Sequence, residues 1–277
     1  MRRNTAVESH HFAALGTNCS LFAADRSRAD MLEGEFWVRR LGARLTRFSA
    51  DSELSQLNAA AGAWFGIGEE LEAVLRASLN AFEMSAGLVN IAVLPSMVAI
   101  GYTRPLSEGA TVATLDTARP LRALPDVLSV RRGAARVASG SALDLGGIAK
   151  GWMADRLCEV LGPNALANVG GDLGAVGAGP EGNGWPVAVA GATLMLRGQG
   201  AATSSVRRRR WGAVHHLIDP RTGLPVRTGL AEVSVVAAGG FHAEVVAKTA
   251  LLIGPELAPA YCAAHALAWW LGAADDG

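Results

Sequence analysis

The stretch Ala142-Leu-Asp-Leu-Gly-Gly-Ile-Ala-Lys-Gly-Trp-Met-Ala-Asp155 decides the fold, because it joins a predicted strand end to a predicted helix. Gly146 and Gly147 stand at the junction. Paired glycines let the backbone approach a ligand closely, and the N–H groups that open a helix favour an anion. Lys150 adds a positive charge one turn in, and Asp144 adds a carboxylate at the entrance. The pattern indicates a turn that faces a phosphate; the alternative is a tight turn with a solvated lysine.

Two nucleotide-binding fingerprints are absent from this stretch. It contains no G-x-G-x-x-G, and Lys150 precedes its glycine, so the stretch is not a G-x-x-x-x-G-K-[ST] loop. The glycines alone therefore do not identify a nucleotide.

Composition narrows the class of protein. The chain has 277 residues, half of them hydrophobic, which is ample for a substantial core. Lys+Arg and Asp+Glu each number 25, so the charge balance indicates neither a nucleic-acid partner nor a membrane surface. No run reaches the roughly 18 apolar residues of a membrane span, and no signal peptide is expected at the N-terminus. The three cysteines are scattered, which favours a reducing compartment and a cytoplasmic location.

Hydrophobic periodicity predicts one α+β domain over residues 1–277, with a flexible segment at 1–10. A hairpin is predicted over residues 11–24, a second at 127–130 and 135–137, and a β-rich half from residue 165. Helices are predicted over residues 29–47, 69–86, 148–161, 242–253 and 256–271.

Two segments in the β-rich half carry candidate chemistry. Asn168-Val-Gly-Gly-Asp-Leu173 predicts a buried strand with two glycines and a carboxylate, or alternatively a β-bulge with a turn aspartate. His215 and His216 point to opposite faces of a strand, so only one of them can face a site. Asp219-Pro220 begins a tight turn directly after them. A structural turn with one packed histidine is the alternative.

Two charged groups allow both structural and functional interpretations. Arg207–Arg210 is a run of four cations, which is either solvated and partly ion-paired or holds a diphosphate. Glu244 and Lys248 lie four residues apart on a predicted helix, where an ordinary ion pair is the simplest interpretation.

Taken in order, these pieces resemble the ApbE family, the FAD:protein FMN transferases, over nearly the whole chain. The order and spacing of the segments carry the resemblance, since each alone is weak. The matching segments are Leu15-Gly16-Thr17, Asp51–Asn58, Asp144–Gly151 with Asp155, Asn168–Asp172, Thr203-Ser204, His216–Gly223 with Pro225, and the helix ending at Gly254.

The resemblance implies an α+β fold with FAD in a cleft between two lobes. It implies cleavage of the FAD diphosphate, transfer of FMN to a threonine of an acceptor flavoprotein, release of AMP, and a Mg²⁺ ion. By position, the Ala149 carbonyl and Glu244 would bind the metal, and His216, Asp219 and Lys248 would act at the diphosphate. The nucleotide would contact Leu15, Gly16, Thr17, Asp144, Gly147, Lys150, Asn168, Gly170, Gly171, Asp172 and Ser204.

The chain departs from the family pattern at three places. Leu15 replaces a methionine, and residues 89–92 replace an F-D-P-T loop. Glu244 and Lys248 stand where the family has a metal-binding aspartate and threonine. A charged lysine has no lone pair for a metal. Three interpretations follow: the ammonium replaces the metal cation, the metal binds in a changed geometry, or catalysis is lost. A shifted alignment would make Thr249 the ligand instead, but its position five residues after Glu244 rotates it off the face of the helix that Glu244 occupies.

Three functions therefore remain open from the sequence. The first is the flavin transferase. The second is an FAD-binding protein without catalysis, which would serve as a flavin carrier or scaffold. The third is a Mg²⁺-dependent diphosphatase that produces free FMN and AMP.

Overall fold

The N-terminal hairpin follows from the turn residues Leu15 and Gly16. The computed structural model describes residues 6–212 and 214–274. Both turn residues have positive φ, 56° and 67°, as a two-residue type I′ turn requires. The strands β1 (Val7–Ala14) and β2 (Thr17–Ala24) pair along their whole length. The predicted hairpin is confirmed. The flexible segment predicted for residues 1–10 is too long, because the first strand already begins at Val7. Residues 1–5 of that segment lie outside the described part of the chain.

Helices and strands follow the hairpin, and most of the strands lie between residues 165 and 237. The helices are α1 (Arg28–Leu45), α2 (Glu53–Ala59), α3 (Glu69–Met84), α4 (Leu94–Ala99), α5 (Leu124–Val127), α6 (Ala149–Leu161), α7 (Gly240–Ile253) and α8 (Ala258–His265). The strands are β3 (Phe65–Gly66), β4 (Leu128–Arg131), β5 (Ala134–Val137), β6 (Ala165–Val169), β7 (Asp172–Val176), β8 (Trp185–Val189), β9 (Ala192–Leu196), β10 (Gln199–Ser205), β11 (Arg210–Trp211), β12 (Val214–His215), β13 (Ile218–Asp219), β14 (Leu224–Pro225), β15 (Leu230–Ala237) and β16 (Ala268–Ala273).

A seven-stranded antiparallel sheet, in the order β1-β2-β6-β7-β10-β15-β16, organises the chain. Alternate side chains of its strands enter different cores, as the twofold periodicity of a strand requires. In β6, Ala165 and Ala167 pack with the helices, whereas Leu166 packs with Trp185 of the β8–β9 hairpin. The helices α1, α6 and α7 cover one face, and this hairpin covers the other. The predicted α+β class is therefore confirmed.

The segment 168–173 is a hairpin turn. Gly170 and Gly171 have φ of 68° and 98°, and they connect β6 to β7 in register from Val169 and Asp172. Neither the broken single strand nor the β-bulge describes it. The two glycines supply the left-handed conformations of a tight turn.

The prediction of a final helix over residues 256–271 is wrong. Helix α8 ends at His265, and β16 follows as an edge strand beside β15. Its bulky residues favour a strand, and Trp269 and Trp270 pack into cores on opposite faces of the sheet. Pairing with β15 thus outweighs the helical preference of the alanines before them.

Helices α6 and α7 cap each other. Asp155 of α6 accepts hydrogen bonds from the N–H groups of Gly240 and Phe241, at 2.7 and 2.9 Å, in the first turn of α7. In return, Glu244 of α7 accepts one from Gly151 N–H at 2.9 Å in the first turn of α6. Carboxylates stabilise the positive end of a helix and satisfy its open donors. These two sets of hydrogen bonds hold the first turns of α6 and α7 against one another.

The crossing of these helices brings backbone against backbone. A Cβ on Gly151 would lie 2.6 Å from the carbonyl oxygen of Gly240, and one on Gly240 would lie 2.7 Å from that of Leu173. Carbonyl groups held in helices and strands cannot move aside cheaply. Glycine is therefore required at both positions.

Replacing Asp155 with alanine should lower the free energy of unfolding by about 1–2 kcal/mol, because α7 loses its capping acceptor. Denaturant-induced unfolding measures the change. Glu159 is the matched control, since it lies on the same helix, pairs with Arg156 and is 60% exposed. Glu159→Ala should change the unfolding free energy by less than about 0.5 kcal/mol. An equal loss in both variants would contradict the capping role.

Candidate functional site

A cavity of about 830 Å³ lies beside α6 and α7. This volume is in the range of small-molecule sites. Glu244, Lys248 and Leu252 line it from α7, and their spacing of four places them on one face of that helix. Other lining residues come from the β1–β2 turn, the C-terminal end of α1, residues 88–93, residues 144–150, β10 and residues 216–218. Segments distant in sequence thus meet at one cleft.

Positive charge predominates in the lining of this cleft. Six cationic side chains and three carboxylates line it, an excess of three positive charges. A cavity with one predominant sign of charge concentrates ligands of the other sign. The cleft is therefore suited to an anionic ligand. The cations are Arg39, Arg47, Lys150, Arg208, Arg209 and Lys248, and the carboxylates are Asp144, Asp172 and Glu244.

Lys150 stands between two carboxylates. Its Nζ donates to Asp172 and lies 3.4 Å from Oε1 of Glu244. Burial lowers the pKa of Lys150, against the attraction of Glu244. Burial also acts to raise the pKa of Glu244, but Lys150 and Lys248 outweigh it and hold that pKa below its usual value. Glu244 is therefore an ionised, internally paired carboxylate.

Lys248 has a different kind of partner. Its Nζ donates to the backbone carbonyl of Gly147, at the glycine turn before α6. Burial lowers the pKa of Lys248, and the attraction of Glu244 opposes that decrease. Because an ammonium has three donors, this contact leaves others for a ligand in the cleft.

The two adjacent histidines have separate roles. His215 is buried, with Nε2 3.0 Å from the Val226 carbonyl and Nδ1 accepting from Leu217 N–H at 3.3 Å. His216 lines the cleft, and its Nδ1 is buried without a hydrogen-bond partner among the described residues. Burial, with Arg209 and Lys248 nearby, holds the pKa of His216 well below 6.5. His216 is thus a neutral imidazole with one buried nitrogen that has no partner among the described residues.

Most backbone donors of the two glycine turns are already bonded within the protein. This limits the anion-binding role that the sequence suggested for these turns. The bonded N–H groups are Gly146 to Asp144 at 2.7 Å, Gly151 to Glu244 at 2.9 Å, Gly170 to the Asn18 carbonyl at 3.1 Å and Gly171 to Asn168 at 2.8 Å. The lysines and arginines therefore provide most of the capacity for an anion.

The structure brings most of the predicted site residues together. Those that line the cleft are Leu15, Gly16, Thr17, Asp144, Gly147, Ala149, Lys150, Gly170, Asp172, Ser204, His216, Glu244 and Lys248. Asn168 and Gly171 are not among its lining residues. They hold the β6–β7 turn through their mutual hydrogen bond, and so place Asp172 indirectly.

Asp219 is also absent from the cleft's lining residues, and its role at the diphosphate stays a prediction. Its carboxylate accepts from the Arg221 backbone N–H and guanidinium at 2.8–3.1 Å. Arg221 in turn donates to the carbonyl of Leu252 at 3.0 Å, near the end of α7. Asp219 therefore folds its own loop and ties it to α7, and it is not among the lining residues.

Sequence reasoning missed an aromatic and cationic group at the cleft. Arg47 pairs with Asp144 and donates to the carbonyl of Tyr102 at 2.6 Å. Its guanidinium lies 4.2 Å from the ring centroid of Phe48 and 4.6 Å from that of Tyr102. An Arg-Phe pair directly after a helix was the available signal, but the partners are remote in sequence. This group fixes the carboxylate at the start of the glycine turn.

Comparison with known proteins identifies the family. The sequence matches the ApbE family over residues 15–270. The chain belongs to the ApbE family. A protein of Klebsiella pneumoniae named FAD:protein FMN transferase is 36% identical over 129 residues, which cover 42% of this chain and 39% of that protein. The Haemophilus influenzae protein of the same name is 26% identical over 266 residues, covering 82% and 73%.

Solved ApbE structures share the fold. The apo flavinyl transferase ApbE of Pseudomonas stutzeri has a TM-score of 0.83 at 24% identity, covering 98% of this chain and 94% of that one. The ApbE protein of Thermotoga maritima has a TM-score of 0.85 at 20% identity, covering 96% and 94%. The resemblance found in the sequence is thus confirmed for family and fold.

At the position that the resemblance assigns to a metal, the donors do not fit Mg²⁺. This ion requires near-octahedral oxygen ligands. Glu244 is already bonded to Gly151 and Lys150, and the ammonium of Lys248 has no lone pair. Thr249 donates its hydroxyl to the Val245 carbonyl at 2.8 Å, within its own helix. Residues 6–212 and 214–274 contain no cluster of three His, Cys, Asp or Glu residues able to hold a metal.

Within residues 6–212 and 214–274, no helix combines the length and apolar character needed to cross a bilayer.

The imidazole of His216 should remain neutral well below its ordinary titration range. In NMR spectra recorded from about pH 8 to about pH 6, its ring signals should not shift. The His216→Asn variant assigns them by their disappearance. A titration midpoint near 6.5 would contradict the environment described for this side chain.

Proposed function

We propose that this chain is a FAD:protein FMN transferase. It would bind FAD in the cationic cleft, cleave the diphosphate and attach FMN through a phosphoester to a threonine of an acceptor flavoprotein, with release of AMP. Curated relatives carry this name, although the first alignment covers only 39% of that relative. The observation that carries the proposal is the neutral imidazole of His216, which lines a cleft with an excess of positive charge and whose buried Nδ1 has no partner among the described residues.

The charge of the cleft matches the ligand. A diphosphate that links two nucleosides carries two negative charges, and the lining has an excess of three positive ones. Lys150, Lys248 and Arg209 are close enough to influence the pKa of His216, so they also act on charge that develops beside it. In phosphoryl transfer, fixed cations that neutralise the developing charge on the phosphate provide most of the stabilisation of the transition state.

His216 supplies the base. The threonine oxygen of the acceptor forms a new bond to the phosphorus on the FMN side, and its proton passes to the imidazole. The bond from that phosphorus to the bridging oxygen breaks, and the oxygen leaves with its electron pair as part of AMP. A neutral imidazole can accept this proton, whereas a protonated one cannot. The lowered pKa keeps His216 in this neutral form, and it also makes the imidazole a weaker base than an exposed histidine.

Two finer aspects of the function stay proposals. The acceptor would be a flavoprotein with an accessible threonine, since the attacking group must enter the cleft as a hydroxyl. A cytoplasmic location stays a prediction of the sequence. The three cysteines are free and buried.

The test is to incubate purified protein with FAD and a threonine-containing acceptor peptide, and to separate the nucleotides and peptide by chromatography. AMP together with a flavin-labelled peptide supports the transferase. AMP with free FMN would instead indicate the diphosphatase. Intact FAD bound to the protein, without AMP, would indicate a flavin-binding protein, and either of the last two results would overturn the proposal.

Replacing His216 with asparagine should reduce AMP release by about 10²–10⁴-fold, because the general base is lost. FAD binding should persist. The matched control is His215→Asn, which removes the neighbouring imidazole that bonds Val226 and Leu217. It should reduce AMP release far less. In the wild type, AMP release should continue below pH 6.5, where an ordinary histidine is protonated. Equal rates of AMP release in the His216→Asn and His215→Asn variants would exclude His216 as the base.

A further inference from the structure

We propose that the Lys248 ammonium takes the place of a divalent metal ion at the diphosphate, so that this chain binds and cleaves FAD without a metal. The inference rests on the proposed function, because it concerns the same diphosphate. It goes beyond that function in assigning the cationic role to a side chain of the protein. The position of Lys248, the hydrogen-bond partners of Lys150, Lys248 and Glu244, and the charge around them support the inference.

Lys248 has a defined position in the cleft. It projects from α7 one turn after Glu244, and its Nζ is held by the carbonyl of Gly147. That carbonyl lies two residues before Ala149, whose own carbonyl the family pattern assigns to the metal. The ammonium thus lies at the glycine turn where the metal would be expected.

The partners of the two lysines distinguish their roles. Lys150 is bonded to Asp172 and close to Glu244, so two carboxylates compensate its charge. Lys248 is bonded to a neutral carbonyl. Glu244 and Asp144 attract this ammonium only through space, so more of its donors are available to a ligand, and charge-assisted hydrogen bonds to phosphate oxygens are strong.

Glu244 is committed to the fold. One oxygen caps Gly151 at the start of α6, and the other faces Lys150. A metal ion at this carboxylate would have to displace a cap or an ion pair, and it would stand beside two ammonium groups. Coulomb repulsion at such short range disfavours a dication.

The step itself needs no further reactant. The acceptor oxygen bonds to the phosphorus on the FMN side, its proton goes to His216, and the bridging oxygen leaves with AMP. The negative charge that develops on that oxygen is neutralised by an ammonium that is part of the protein.

FAD binding measured by flavin fluorescence, and AMP release with acceptor peptide, test the inference in EDTA and in excess Mg²⁺. Wild type should bind FAD and release AMP equally in both conditions. Titration of the protein alone with Mn²⁺, followed by electron paramagnetic resonance, should show no site at Glu244. Binding or turnover that EDTA abolishes and Mg²⁺ restores would overturn the inference but leave the transferase intact.

Variants separate charge from structure. Lys248→Met keeps the length of the side chain, and it should weaken FAD binding or slow AMP release about ten- to a hundredfold, in EDTA and in Mg²⁺ alike. Arg76→Met is the matched control, since it removes a 52% exposed cation paired with Glu72 on the surface of α3. It should have no such effect. An unchanged Lys248→Met variant would also overturn the inference.

Lys248→Thr removes one of the two ammonium groups beside Glu244 and supplies an oxygen donor. A metal would then compete only with Lys150 for the second oxygen of Glu244, so the variant should acquire Mg²⁺ dependence. Glu244→Asp combined with Lys248→Thr should strengthen that dependence if it folds. A Lys248→Thr variant that keeps full activity in EDTA would contradict the role of the ammonium. If wild type binds no FAD in either condition, both the proposed function and this inference fail.

Discussion

The reciprocal caps of α6 and α7 are the constraint on which the cleft depends. Asp155 and Glu244 each stabilise the first turn of the other helix, and Gly151 and Gly240 let the two backbones meet. Because the exchange fixes both helices, it fixes the glycine turn before α6 and the face of α7 opposite to it. The floor of the cleft is thus set by hydrogen bonds to backbone, which tolerate little displacement before they weaken.

This arrangement changes where an anion finds its donors. Glycine turns at helix starts normally offer free N–H groups. Here the Glu244 carboxylate accepts the N–H of Gly151 in the first turn of α6, and the Asp144 carboxylate accepts the N–H of Gly146. The charge that remains for a ligand is carried by lysine and arginine side chains, which can adjust their positions while the backbone stays fixed. The backbone of the glycine turns is therefore rigid, and the lysine and arginine side chains are the groups that can adapt to a ligand.

Local patterns allowed much of the fold to be predicted, and non-local ones did not. The N-terminal hairpin and the long helices follow from periodicity and turn residues within short windows. The strand β16 could not be predicted, because its conformation is decided by pairing with β15 and by Trp269 and Trp270 packing on opposite faces. In the site, most of the residues that motif order singled out line one cleft, and their roles stay predictions. Arg47 was not singled out and Asp219 is not among the lining residues, since each depends on partners that spacing does not reveal.

The position of Lys248 gives the departure from the family pattern a physical meaning. A metal ion is exchangeable, so a site that uses one depends on its concentration, whereas a lysine is always present at full occupancy. An ammonium carries one charge where Mg²⁺ carries two, and it cannot draw several oxygens into a fixed octahedron. The excess of cations around the cleft offsets the smaller charge. The same excess would repel a metal ion, so the lysine and the metal are alternatives in this cleft.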